Sequence, residues 1–107
     1  MVKIIWQKRA RKVLDGRLMY SNMEYGKATV KRWTKEIAHV ETRIMSMPTS
    51  FTPEPLLVDK KHIYRYCHLM NRRFKLIYCY YPSSGIVRVV DLWDTRMNPE
   101  TLRQRLK

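Results

Sequence analysis

The last third of the chain constrains its fold most. Residues 63–106 read IYRYCHLMNRRFKLIYCYYPSSGIVRVVDLWDTRMNPETLRQRL. Three runs, 63–69, 74–81 and 86–93, are rich in aromatic and β-branched side chains, which suit a pleated, half-buried surface. Asn71-Arg72-Arg73 and Pro82-Ser83-Ser84-Gly85 separate them, and links this short and turn-prone suit hairpins. The segment therefore reads as a three-strand meander. Asn98-Pro99-Glu100 then opens a short helix: Asn caps, Pro is tolerated in the first turn, and Glu complements the helix dipole. Between the last strand and that helix, Trp93-Asp94-Thr95-Arg96 puts a cation in irregular chain at a sheet end, where binding residues concentrate.

Upstream, residues 2–6 (VKIIW) are short, apolar and β-prone, and read as a leading strand expected to join the same sheet. From Gln7 the period changes: Ala10, Val13, Leu14, Leu18 and Tyr25 recur at helical spacing, with Gly26 as the stop. A second, clearer helix runs through Val30, Trp33, Ile37, Val40, Ile44 and Met47, and Pro48 ends it. So short a joint makes the two helices an antiparallel hairpin. Residues 48–55 hold three prolines and read as a loop, and the sheet is expected to resume from about Leu56. The fold class is α+β in one domain: a helical hairpin packed on a mainly antiparallel sheet, with a short C-terminal helix.

The chain has 22 Lys and Arg against 9 Asp and Glu, a formal net charge of +13 spread over both halves. A hydrophobic content of 45% argues for a folded core, so the charge decorates a surface and attracts polyanions. The start lacks the apolar run of a signal peptide, and the longest uncharged stretch is too short and broken to span a bilayer. A cytoplasmic location without membrane contact is the expectation. Cys67 and Cys79 show no CxxC pairing or zinc spacing and read as reduced core thiols, and no cofactor or small-molecule ligand is expected.

In combination and in order, these parts resemble the RelE/ParE superfamily of type II toxin–antitoxin toxins, plasmid stabilisation proteins. The residues that carry the resemblance span almost the whole chain. They are the strand ending at Trp6, the helix closing in Glu24-Tyr25-Gly26, and the helix through Trp33 and Ile37 to Met47-Pro48. Tyr64-Arg65, Phe74-Lys75-Leu76-Ile77-Tyr78, and Val89-Val90-Asp91-Leu92-Trp93 leading to Arg96, Asn98 and Pro99 complete the set. The resemblance implies a growth-inhibiting toxin neutralised by a cognate antitoxin. ParE-like members poison DNA gyrase, whereas RelE-like members cut messenger RNA on the ribosome. The long hairpin, the Tyr25-Gly26-Lys27-Ala28 turn and the Tyr-Arg pair that opens the meander look more like ParE.

Cutting RNA through its own 2′-OH needs a proton acceptor, a proton donor and cations around the phosphate. By the resemblance, Lys75 stands where the central strand's catalytic Arg would be, and Arg96 matches the Arg after the last strand. The Tyr or His expected near the C-terminus is missing, since that region holds Met97, Leu102 and Leu106. His68, Tyr66 and Tyr64 are substitutes from the second strand, so Lys75, Arg96, Arg65 and His68 are the catalytic candidates of an RNase. For a binding toxin, Arg96, Arg65, Lys75 and Trp93 are the target contacts. Each has a structural reading as well: Arg96 pairing with Asp94 or Asp91, Arg65 with a cross-strand partner, Lys75 at a sheet rim if Ile77 and Cys79 point to the core, Trp93 as a core anchor. Three functions follow: a gyrase inhibitor, a ribosome-dependent endoribonuclease, or a non-toxic basic nucleic-acid-binding protein.

Overall fold

The computed structural model describes residues 2–106, and its sheet gathers all four expected strands. They are β1 (Lys3–Trp6), β2 (Tyr64–Leu69), β3 (Phe74–Tyr81) and β4 (Ile86–Asp94). β2, β3 and β4 form the antiparallel meander, while β1 lies parallel to β4, giving the order β1-β4-β3-β2. Helices α1 (Lys8–Tyr25) and α2 (Lys27–Ser46) form the hairpin, and α3 (Pro99–Arg105) closes the chain. The architecture is α+β.

Both faces of the sheet are covered. On the hairpin face, Phe74, Leu76 and Tyr78 of β3 pack with Ala10, Leu14, Ile37, Val40 and Ile44 of the helices. On the other, which we call the α3 face, Ile77 and Cys79 pack with Leu57, Val90, Trp93, Leu102 and Leu106. This double burial explains why β3 reads as a nearly continuous apolar run, FKLIYCYY, rather than an alternating one.

One irregularity in β4 sets which residues reach which face. Ile77 pairs with Asp91 and Tyr78 with Val89, so Val90 is an extra residue, a β-bulge. Val87 and Val89 meet the hairpin before it, Leu92 meets the hairpin after it, and Trp93 joins the α3 face. The bulge also leaves Asp91 fully buried, where Arg105 of α3 donates to it at 3.1 and 3.2 Å. A buried carboxylate needs such a partner, and here it ties the last helix to the sheet.

Three details depart from the sequence expectations. The sheet does not resume at Leu56, for Pro55–Leu57 form one 3₁₀ turn and β2 begins at Tyr64. Glu54 caps that turn, its carboxylate accepting from the Leu56 N–H at 3.1 Å. Tyr25 and Met47, placed on helical seams by their spacing, are 66% and 63% exposed because each is at or beyond the last turn of its helix. The loop before β2 also augments the sheet: the Glu54 N–H donates to the Tyr64 carbonyl and the Tyr66 N–H to that of Thr52. Part of the β2 edge is thereby shielded from pairing with another chain. No described helix is long and apolar enough to cross a membrane.

Candidate functional site

The candidate residues divide between the two faces of the sheet. Period-two alternation puts Tyr64, Tyr66 and His68 of β2 on the α3 face, and Arg65, Cys67 and Leu69 on the hairpin face. Lys75 follows Ile77 and Cys79 onto the α3 face. Arg65 and Lys75 therefore point away from each other, and Arg65, Lys75 and Arg96 do not converge on one phosphate-sized site. Arg65 instead donates to the Phe51 carbonyl at 2.7 Å, holding the loop after α2.

A compact polar cluster does form on the α3 face, around Lys75. Its ammonium donates to both oxygens of Glu54, at 2.9 and 3.2 Å, and lies 4.4 Å from the centre of the Tyr66 ring. His68 is the cross-strand partner of Lys75, and its ring meets that of Tyr66 edge-on with centroids 5.4 Å apart. Burial, reinforced by the positive charges of Arg72 and Lys75, holds the His68 imidazole below its ordinary pKa. The neutral imidazole is thus favoured, a state able to accept a proton. Glu54 is the residue that sequence reasoning missed. It sits between two prolines in a segment without periodicity, and its place in this cluster comes only from its closeness to Lys75 in space.

Arg96 lies in the loop after β4 with its side chain 61% exposed. Its backbone N–H donates to Asp94 at 2.9 Å, and its guanidinium makes two longer contacts to the same carboxylate, at 3.3 and 3.4 Å. Burial raises the pKa of Asp94, but the hydrogen bonds and charge of Arg96 outweigh it and hold the carboxyl below its usual value. Thr95 fastens this loop to the β2–β3 turn through the Arg73 carbonyl, at 2.9 Å from its N–H and 3.0 Å from its hydroxyl. Trp93 is 2% exposed and its ring is covered by Arg105, whose guanidinium carbon lies 5.4 Å from the ring centroid. Almost none of the indole is left for a target.

Cys67 and Cys79 are buried free thiols on opposite faces, and burial pushes the Cys67 thiol up to about 12. Among the described residues, no group of three or more His, Cys, Asp or Glu is placed to hold a metal ion. Comparison with protein-family models finds none that matches this chain, and comparison with curated proteins finds no match either.

Proposed function

We propose that this chain is the toxin of a type II toxin–antitoxin pair, built on the RelE/ParE plan and acting in the cytoplasm. It works as a binding inhibitor of DNA gyrase, after the ParE manner, rather than as a nuclease. One observation carries the choice between these modes. Lys75, which the resemblance sets where an RNase would place a catalytic cation, is held by both oxygens of the buried Glu54 carboxylate. A cation so neutralised gives little field to a scissile phosphate. Arg96, being exposed and hinged on a surface carboxylate, is still able to exchange Asp94 for an acidic group of a target. The +13 charge suits an acidic antitoxin segment that folds as it wraps the toxin.

The RNase reading keeps one observation in its favour, the neutral His68 beside Tyr66 and Lys75. Inducing the chain without an antitoxin, and assaying growth, gyrase supercoiling and messenger RNA cleavage together, separates the two. The gyrase reading expects arrested growth, lost supercoiling and intact RNA, with Arg96→Ala relieving the arrest. Codon-proximal RNA cuts abolished by His68→Ala would transfer the function to the nuclease class. Unimpaired growth would sink both.

A further inference from the structure

A cavity on the hairpin side, between the end of α1, the start of α2 and the β2–β3 turn, has no part in the reading above. It encloses about 370 Å³, which is within the range of roughly 300–1,000 Å³ typical of small-ligand sites. Arg17, Arg32 and Arg73 line it, Tyr20, Tyr25 and Trp33 supply aromatic surface, and no lining side chain is acidic.

Two of the guanidiniums are stacked on aromatic rings. Arg17 lies 4.8 Å from the Phe74 ring centre and 5.1 Å from that of Tyr20. Arg32 lies 4.6 Å over Trp33. Arg32 and Arg73 meet no carboxylate among the described residues, and Arg17 only reaches Asp94 at 4.0 Å. Asp94 is shared with Arg96, and Glu36 accepts from the Met70 N–H at 2.9 Å. Three cations gathered around one carboxylate, Asp94, that Arg96 also holds keep a net positive charge and repel one another, a cost that an anion relieves.

The rim adds a second, independent sign. Met70, Asn71 and Arg72 have φ of 55°, 56° and 66°, three consecutive non-glycine residues in the left-handed region. Such conformations are rare outside Asn and Asp, and they concentrate where a binding site holds the chain in place. Here the turn carries Asn71 and Arg73 to the cavity wall, and Thr95 fixes its far side.

We propose that this cavity binds a nucleoside phosphate, with the phosphate on the arginine cluster and the base against the Trp33–Tyr25 side. Guanidinium forks match phosphate oxygens, and aromatic faces accept any base. Inorganic phosphate would leave the aromatic half unused, and an uncharged ring would bury the cations unpaired. The ligand is either a free mononucleotide or the 5′-phosphorylated end of a single strand. The inference stands on this cavity alone and does not rest on the toxin reading.

The test titrates the full chain, at fixed salt, with 5′-AMP, adenosine, inorganic phosphate, an acidic octaglutamate peptide, and hexa-adenylate RNA with and without its 5′-phosphate. AMP is expected to bind at least about tenfold more tightly than adenosine or phosphate. Arg32→Gln with Arg73→Gln, both exposed positions, should weaken it by about tenfold or more, against less than about twofold for Lys8→Gln with Lys12→Gln on the far end of α1. Amide shift changes in the unsubstituted protein should centre on residues 17–33 and 70–74, a readout that survives if the double variant fails to fold. RNA whose 5′-phosphate makes it bind more tightly than AMP identifies a strand end as the source, and parity identifies the free nucleotide. The proposal is overturned if AMP binds no better than phosphate, if both variant pairs lose equally, if the shifts centre elsewhere, or if octaglutamate outcompetes AMP.

Discussion

At the scale of single residues, the Glu54–Lys75 pair links stability to the candidate site. The Glu54 side chain is fully buried and that of Lys75 is 17% exposed, so the pair is poorly screened and each charge depends on the other. Glu54→Ala should therefore destabilise the protein by about 3 kcal/mol or more, since it strands an ammonium against apolar surface and uncaps the 3₁₀ turn. Lys75→Met should cost a similar amount, and the double variant Glu54→Gln with Lys75→Met distinctly less than the sum of the two. Urea denaturation of the three variants checks this, and additive losses would mean that the two charges act separately. Acid should expose a second dependence. The folded-state pKa values of His68 and Asp94 are both depressed, so each contributes stability above its unfolded value that is lost as pH falls through the folded one. The loss starts below about pH 6.5 with His68 and continues below about pH 4 with Asp94. His68→Gln should flatten the first part of that decline in melting temperature and leave the second in place.

At the scale of elements, the joint of the helical hairpin turns on glycine. Gly26 has φ 90° and ψ 178°, a region open almost only to glycine, and its N–H closes α1 on the Asn22 carbonyl at 3.1 Å. A methyl group there would collide with nothing, so Gly26→Ala isolates backbone strain, with an expected loss of roughly 1–3 kcal/mol. Gly16 stands in the middle of α1 with equally open space around its Cα, and Gly16→Ala should stabilise by roughly 0.5–1 kcal/mol. Opposite signs from one substitution type within and just after one helix would be read directly from paired thermal melts. The same elements show what local sequence could reveal. Strands, helices and the Asn98 cap were legible because periodicity, β-branching and turn chemistry act within a few residues. The 3₁₀ turn was not, since Pro55-Leu56-Leu57 shows no period of its own and the turn depends on the Glu54 cap. The bulge at Val90 was equally hidden: VRVVDLW reads as a plain strand, and only its registration against β3 shows the extra residue. The site fared worse than the fold for the same reason. Lys75 and His68 were visible as residues, but their convergence with Glu54 is a long-range contact, as are the three arginines of the cavity.

At the scale of the whole molecule, charge is distributed unequally between use and surplus. Eight of the nine acids accept a hydrogen bond or ion pair within the chain: Asp15, Glu36, Glu41, Glu54, Asp59, Asp91, Asp94 and Glu100. Among the described residues, only Arg11, Arg17, Lys75, Arg96, Arg103 and Arg105 meet a carboxylate. Most of the 22 basic side chains therefore face one another's field without local relief. Folding concentrates that positive charge, and self-repulsion of this kind opposes the compact state. Salt acts on both sides of the balance. It screens the surplus repulsion over a distance of about 10 Å at 0.1 M, and it also weakens exposed pairs such as Arg11–Asp15, each worth at most about 1 kcal/mol. The two pairs with buried carboxylates, Lys75–Glu54 and Arg105–Asp91, are sheltered from it. The repulsive side is larger, so raising sodium chloride from about 20 to about 200 mM should raise the melting temperature at pH 7. Chloride is the anion of choice because phosphate or sulfate would act through the arginine cavity as well. A melting temperature that falls over this range would mean that the attractive pairs outweigh the +13 surplus. It would also remove the reason to expect an acidic partner to stabilise the fold.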